Sequence, residues 1–151
     1  MPPPDMLKVA INNQQTAQKV DRQQLKEAVK RVLAGEGHES ALISIAVVDD
    51  ATIHQLNRQY LQHDYPTDVL SFVLEDEPQH LEGEIIISAE YAAAHAAEFG
   101  WTAQNEMLLY IIHGTLHLVG YDDLEPGPQA KMRAQERVYL ATFGLTPKYD
   151  E

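Results

Sequence analysis

One segment constrains the fold of this 151-residue chain more than any other, because it is apolar on nearly every side and still contains two histidines. Apolar residues surround a predicted helix at about residues 103–119, which indicates that this helix is buried in the core. His113 and His117 are four residues apart, so a helix places both imidazoles on the same side. Because buried imidazoles need polar partners, the core must include a polar site. The apolar positions are Met107, Leu108, Leu109, Ile111, Ile112, Leu116, Leu118 and Val119.

A metal ion shared by both histidines would provide such a site. A third ligand cannot come from the same straight helix, since position 123 would lie about 15 Å beyond His113 along the axis. Gly120 accepts the left-handed conformation that closes helices, and the aspartates after it, Asp122 and Asp123, can then fold back. The spacing HxxxHxxGxxD therefore predicts a metal site. The alternative is a pair of core histidines, each bonded to a carbonyl or carboxylate, with Gly120 as an ordinary helix cap.

Composition narrows the chemistry further. The chain has no cysteine, which excludes thiolate metal sites, cysteine nucleophiles and disulfides, so any metal must be bound by histidine or carboxylate. The net charge of −12 argues at first against a nucleic-acid partner. That charge is uneven, because residues 1–40 carry a net +1 and residues 41–151 a net −13. With no visible secretory signal or membrane-length apolar stretch, we expect a soluble, cytoplasmic protein.

The pattern along the chain predicts one α+β domain at residues 7–146, between a disordered start at 1–6 and a tail at 147–151. Strand-like runs predict a small, mixed four-stranded sheet, with the first strand at an edge and the second covered on both faces. About five helices are expected to pack against this sheet. Residues 75–84 are predicted to form an acidic loop. The predicted strands are 7–12, 41–48, 68–74 and 84–88, and the predicted helices are about 16–33, 49 or 50 to the 63–66 segment, 88–99, 103–119 and 129–143.

Three blocks of the sequence resemble one known family. HGTLHLVGYDD at 113–123 closely resembles the HGxLHLxGYDH signature of the YbeY family of ribosomal RNA maturation endoribonucleases. Leu56-Asn57, Tyr60 and the DYPTDVLSF stretch at 64–72 are similar to that family's LNxxYR…DxPTDVLSF block, and GEIIIS at 83–88 is similar to its GDIxIS strand. Because order and spacing agree from about residue 41 to 145, the chain is identified as a member of that family.

The resemblance implies an α+β fold with one divalent ion, zinc in first place, bound in a cleft. It also implies a metal-dependent endoribonuclease that cleaves single-stranded RNA in ribosomal RNA processing and maturation. By motif position the metal ligands are His113, His117 and Asp123. Since Asp123 replaces the family's third histidine, the site has a net +1 charge rather than +2, and we expect a weaker Lewis acid with a less acidic bound water. The implied partners are single-stranded or precursor ribosomal RNA, with ribosomal proteins or the small ribosomal subunit as further candidates.

The general base stays open at this point. Gly114 stands where HExxH metalloproteases have a glutamate, which argues against their mechanism. Asp122, Asp68 and the water itself are candidates. The resemblance also indicates Thr67, Asp68 and Ser71 as residues of the substrate groove, although a Pro-Thr-Asp turn is also common structural chemistry.

Basic residues offer two weaker predictions of RNA contact. Leu61 occupies a position where the family often has an arginine, a residue suited to binding phosphate. Arg58, one helical turn away, could substitute for that arginine or could be an ordinary surface residue. A basic stripe on the first predicted helix could contact RNA or could be a solvated outer face. The stripe consists of Lys19, Arg22, Lys26 and Lys30.

Other functions fit part of the pattern. Two histidines and one carboxylate are also the ligand set of many non-haem iron oxygenases. A ribosome-associated binding factor could use the metal only for structure, and such a site is expected to be closed by a fourth protein ligand. Another metal-dependent hydrolase is a further alternative, and the sequence leaves the oligomeric state open.

Overall fold

The structure is a computed structural model that describes residues 6–61 and 68–147. Four strands and five helices form the predicted α+β fold with one mixed sheet, so the predicted fold class is confirmed. The predicted disordered start and tail fall almost entirely outside the described residues. The elements are β1 (Leu7–Asn13), α1 (Arg22–Gly35), β2 (Ala41–Val48), α2 (Asp50–Leu61), β3 (Val69–Glu77), β4 (His80–Ser88), α3 (Ala89–Phe99), α4 (Ala103–Leu118) and α5 (Pro126–Ala141).

The sheet has the strand order β1-β2-β4-β3, with the first two pairings parallel and the last antiparallel. β1 is an edge strand, as predicted. The expectation that β2 is covered on both faces is wrong, because Leu42 is 40% exposed and Ser44 is also exposed. The main core covers one face of β2, whereas α2 covers the other face mainly over β4 and β3, through a small cluster around Ile53.

The predicted acidic loop at residues 75–84 is also wrong. This segment is the end of a β-hairpin in which Glu75 pairs with Glu82 and Glu77 pairs with His80. Residues 78 and 79 make the turn. Leu81 is 1% exposed, so the acidic hairpin is anchored to the core by one apolar side chain while cross-strand pairing satisfies its backbone groups.

Two helices begin at other residues than predicted. α1 begins at Arg22, not near residue 16, because the Asp21 side chain accepts a hydrogen bond from the Gln24 amide and caps the helix there. Lys19 therefore lies before the helix. α5 begins at Pro126 instead of residue 129, since proline fits the first turn of a helix.

The close packing of α4 on the sheet positions the polar side chains discussed below. A Cβ atom on Gly114 would lie 2.9 Å from Ile85 Cγ2 and 3.2 Å from Val69 Cγ2. A Cβ atom on Gly83 would lie 2.8 Å from a methyl group of Leu118. Both glycines are needed for this close approach, which holds the C-terminal half of α4 against β3 and β4. In the described part of the chain, no helix is long and apolar enough to cross a membrane.

Candidate metal centre

Three polar side chains converge at the C-terminal end of α4. His113 and His117 lie one helical turn apart, with ring centroids separated by 4.8 Å and planes inclined by 78°. The two carboxylate oxygens of Asp123 lie 3.4 Å from His113 Nε2 and 3.4 Å from His117 Nε2. These separations exceed the ordinary hydrogen-bond range of about 2.7–3.2 Å. The side chains are 22%, 29% and 36% exposed, so the group is partly open to solvent.

The turn after α4 brings Asp123 back to the helix. Gly120 has a φ of 104°, a left-handed conformation that favours glycine. Its amide donates to the His117 carbonyl at 3.1 Å, and the Tyr121 amide donates to the Leu116 carbonyl at 3.0 Å. This pair of bonds is the Schellman motif that commonly ends helices. The chain reversal predicted from Gly120 is therefore confirmed.

The donor geometry fits a metal ion. Tetrahedral zinc bonds of about 2.0–2.2 Å place neighbouring ligand atoms roughly 3.3–3.6 Å apart. Each histidine Nε2 lies 3.4 Å from one Asp123 oxygen, which is within that range, although the two contacts use different oxygens of the carboxylate. Of the described residues, this is the one group of three such side chains close enough to hold an ion, with all ligand atoms within 4.8 Å of one another. Two imidazoles and a carboxylate suit zinc and several other first-row metals.

A fourth side chain, Glu136 on α5, contacts His113 at Nδ1, the ring nitrogen that does not face Asp123. Its side chain is 3% exposed, and Oε2 accepts a hydrogen bond from His113 Nδ1 at 2.6 Å. Sequence reasoning missed this residue. The available signal was its place on the buried face of α5 with Met132, Tyr139 and Leu140, where an acidic side chain is unusual.

The two histidines have opposite pKa shifts. Burial disfavours the charged form of His113, but the hydrogen bond that its Nδ1 donates to Glu136 and the negative charge of that carboxylate outweigh burial and raise the pKa of His113. Burial and the neighbouring His113 lower the pKa of His117, although Asp123 acts in the other direction. The difference arises because a buried carboxylate contacts only one of the two rings among the described residues.

A cavity of about 220 Å³ extends from the His113 end of this group between α4 and α5. The cavity is also lined by a second pair, in which Glu106 Oε2 accepts from His95 Nδ1 at 2.7 Å. Glu106 is 3% exposed and also accepts a hydrogen bond from Trp101 Nε1 at 2.8 Å. Two carboxylate–histidine pairs therefore line the same cavity.

The candidates for the general base lie in different surroundings. Asp68 lines the same cavity as His113, and its carboxylate accepts a hydrogen bond from the Val69 amide at 2.8 Å. Asp122 is exposed, and its carboxylate accepts from the Leu124 amide at 3.0 Å within its own turn. The structure thus brings Asp68, and not Asp122, to the cavity.

The predicted groove residues are placed only in part. Ser71 is on β3, two residues after Val69, so it shares the face of the strand that packs on α4. Thr67 lies outside the described residues. Arg58 is exposed on α2, which packs against the opposite face of the sheet, and Leu61 is the partly exposed last residue of that helix.

The predicted basic stripe is not one continuous helical face. Lys19 precedes α1, and the Arg22 guanidinium donates to the Ile11 carbonyl at 3.1 Å. Lys26 is half-buried and Lys30 is exposed on the helix. Because α1 packs along β1, the stripe lies toward the opposite edge of the sheet from Asp68 and β3. The structure does not bring these residues together with the three candidate ligands.

The fold and the site together are those of a small α+β protein in which one helix provides two histidines and the following turn an aspartate, a group that could hold a metal ion. The family model described as "Endoribonuclease YbeY" matches residues 10–144. The chain therefore belongs to the YbeY family of endoribonucleases, and the resemblance found in its motifs is confirmed.

Curated relatives support the assignment. An "Endoribonuclease YbeY" from Desulfitobacterium hafniense is 47% identical over 71% of this chain and 74% of the relative. One from Salinibacter ruber is 36% identical over 93% of this chain and 94% of the relative. Another from Rhodopirellula baltica is 44% identical over 82% of this chain, which spans 65% of that relative's length.

A solved structure supports the fold. The solution structure of a protein from Thermotoga maritima superimposes with a TM-score of 0.62 at 26% identity. The superposition covers 95% of this chain and 96% of that protein. Almost the whole chain thus has a counterpart in a solved structure.

Proposed function

We propose that this protein is a metal-dependent endoribonuclease that cleaves single-stranded RNA, with precursor ribosomal RNA as its biological substrate in the cytoplasm. The observation that carries the proposal is the position of Asp123, whose two oxygens lie 3.4 Å from each ligand histidine of α4. Membership of the YbeY family supports the same activity. Ribosomal proteins or the small ribosomal subunit are proposed as partners that present the substrate.

In this proposal His113, His117 and Asp123 hold one divalent ion, zinc in first place. When bound, such an ion polarises a phosphoryl oxygen and stabilises negative charge that develops as the phosphodiester breaks. The ligand set supplies three protein donors and is partly open to solvent, which is typical of a catalytic site and not of a closed structural one. The open side leaves room for substrate.

Asp68 is the proposed proton acceptor of the reaction. Its side chain lines the cavity shared with His113 and Asp123, whereas Asp122 is engaged in its own turn. A general base must come within hydrogen-bond reach of the proton that it removes, directly or through one water. Geometry therefore favours Asp68 over Asp122.

The acidic character of the protein determines how it can hold RNA. Four carboxylates line the cavity, namely Asp68, Glu106, Asp123 and Glu136, and they outnumber the one arginine that lines it, Arg133. Phosphate groups are repelled from such a surface unless a cation offsets the charge. We therefore expect RNA binding to depend on the metal, with the basic stripe of Lys19, Arg22, Lys26 and Lys30 as a further proposed contact.

The proposal is tested by cleavage of matched single-stranded and duplex RNA by metal-loaded protein. We expect cleavage of the single strand only, and loss of cleavage in His113→Ala. Asp68→Asn should reduce the rate while leaving metal content unchanged, and Asp122→Asn is the matched control that should cleave like the wild type. Equal cleavage by the wild type and His113→Ala would exclude the metal-catalysed mechanism.

The donor set also favours a second candidate. Two histidines and one aspartate form the ligand set of many non-haem iron oxygenases. Metal analysis of protein purified with and without oxygen separates the two functions. Stoichiometric zinc without redox activity removes the iron enzyme, and iron with oxygen consumption supports it.

A further inference from the structure

We propose that Glu136 is a positioning residue for the metal centre, which fixes the ring of His113 and sets the affinity of the site through its negative charge. The inference rests on the metal site proposed above, and not on RNA cleavage. It concerns a residue on α5, a helix that contributes none of the three candidate ligands.

The hydrogen bond determines which nitrogen of His113 can bind a metal. An ionised carboxylate can only accept, so the 2.6 Å contact from His113 Nδ1 to Glu136 Oε2 places the proton on Nδ1. The other nitrogen, Nε2, then presents its lone pair on the side where Asp123 Oδ2 lies at 3.4 Å. A histidine that binds metal through one nitrogen usually donates from the other to such a group, which holds the ring in place.

The negative charge of Glu136 changes the net charge that the three candidate ligands alone would give the metal site. A dication bound by two neutral histidines and Asp123 has a net +1 charge. Glu136 is 3% exposed and contacts one of those imidazoles, so its charge is little screened by solvent and lowers the net positive charge beside the ion by one. Burial of a carboxylate is unfavourable unless it is compensated, and a cation across the ring from it provides compensation.

The two ligand histidines are supported differently. The pKa of His117 is lowered by burial above all, and its ring is hydrogen-bonded to the backbone of Tyr121. His113 instead contacts a charged group on another helix. The contribution of Glu136 can therefore be measured separately, because removing it leaves the support of His117 in place.

The fold contains a matched control for this inference. Glu106 is also 3% exposed and accepts from a histidine, His95, at 2.7 Å, but neither residue is a candidate ligand. If both buried carboxylates have only a structural role, substitution of Glu106 and substitution of Glu136 should change metal affinity equally. A role in metal binding predicts a difference between them.

The experiment measures the affinity for Co²⁺ by competition with a chelator, together with the visible absorption of bound Co²⁺. For Glu136→Ala we expect affinity lower by about 10–100-fold, with an altered spectrum because His113 is free to rotate. Glu136→Gln keeps an acceptor for Nδ1 and removes the charge, so it should restore the wild-type spectrum and only part of the affinity. Glu106→Gln should bind Co²⁺ like the wild type.

Circular dichroism and thermal unfolding of each variant separate folding from binding. The proposal is overturned if folded Glu136→Gln and Glu136→Ala bind Co²⁺ as tightly as the wild type, or if Glu106→Gln loses as much affinity as they do. If Glu136→Ala does not fold, the Gln variant alone decides. A wild type that binds no Co²⁺ overturns both this inference and the proposed function, whereas failure at Glu136 alone leaves the proposed function intact.

Discussion

Two carboxylate–histidine pairs line one cavity, each with a buried carboxylate, and they differ in what surrounds the histidine. Glu106 and Glu136 are both 3% exposed and contact His95 and His113 at 2.7 Å and 2.6 Å. His95 packs beside the ring of Phe99, with centroids 4.9 Å apart. His113 instead has a second histidine one turn away and an aspartate folded back toward it.

The difference suggests what a carboxylate–histidine pair needs before it can serve a metal site. Glu106 uses its two oxygens for His95 and for Trp101, which ties α3 to the start of α4. Beside His113, Gly120 reverses the chain and adds Asp123, so the other side of the imidazole faces further donors. We therefore assign a structural role to the first pair and, as proposed above, support of a metal ligand to the second.

The largest expected effect comes from removing a ligand. His113→Ala and Asp123→Ala should each reduce metal affinity by more than the roughly 10–100-fold expected for Glu136→Ala, because a direct bond to the ion is lost. His95→Ala is the matched change at the other pair and should leave metal affinity unaltered. Equilibrium dialysis with zinc measures the affinity of all three variants. Weaker binding in His95→Ala would show that the two pairs do not differ in metal binding.

Stability without metal should show the opposite ranking. Glu106→Ala leaves the partly buried donors of His95 and Trp101 without their acceptor, and a donor that water cannot reach costs about 1–3 kcal/mol, which is the upper bound for each. Glu136→Ala removes the acceptor of the His113 Nδ1 donor, so a smaller loss is expected. Urea unfolding in the presence of a chelator measures both free energies of unfolding. A greater loss in Glu136→Ala would contradict the structural role given to Glu106.

Close packing at Gly114 permits a third test. Gly114→Ala forces a Cβ atom to within 2.9 Å of Ile85, next to the ligand His113, and should destabilise the protein by about 1–3 kcal/mol. Gly127→Ala is the control, since a Cβ atom there meets nothing within 4 Å. Thermal unfolding of the two variants checks this expectation. Equal stabilities would show that α4 can shift without cost and that the sheet does not fix the ligand end.

The smallest expected effect is a pH dependence at Glu36, which supports the turn that carries Asp123. Its carboxylate accepts hydrogen bonds from Tyr121, Tyr139 and Gln135. Burial acts to raise the pKa of Glu36, but these bonds together lower it. A lowered folded-state pKa stabilises the protein above the unfolded pKa of about 4.3, and this stability is lost as pH falls through the folded value.

Glu36→Gln should therefore make the free energy of unfolding less dependent on pH below about pH 5. Urea unfolding across that range, with Glu39→Gln at an exposed position three residues later as the control, measures the difference in slope. An identical decline in the wild type and Glu36→Gln would contradict the assigned role.

Local signals in the sequence were sufficient for much of the metal site. The four-residue spacing of His113 and His117 and the reversing Gly120 act within one helix and its cap, so their geometry follows from helix rules. Glu136 could not be found this way, because its contact with His113 depends on how α5 packs on α4. Its sequence signal, an acidic residue among apolar ones, does not name a partner.

The errors in the predicted fold have similar physical causes. The acidic segment at 75–84 looked like a loop because its charged residues hide a strand pattern that only cross-strand pairing and the burial of Leu81 make favourable. The predicted start of α1 near residue 16 is wrong because the spacing of apolar residues does not show where the first turn of a helix begins. The cap by Asp21 marks it instead.

The most direct test of this account is an anomalous-scattering map from crystals of the zinc-loaded protein. We predict one strong peak about 2.0–2.2 Å from His113 Nε2, His117 Nε2 and a carboxylate oxygen of Asp123, with no peak at His95 and Glu106. A peak at the His95–Glu106 pair, or no peak at the three candidate ligands, would contradict the assignment of the metal centre to the C-terminal end of α4.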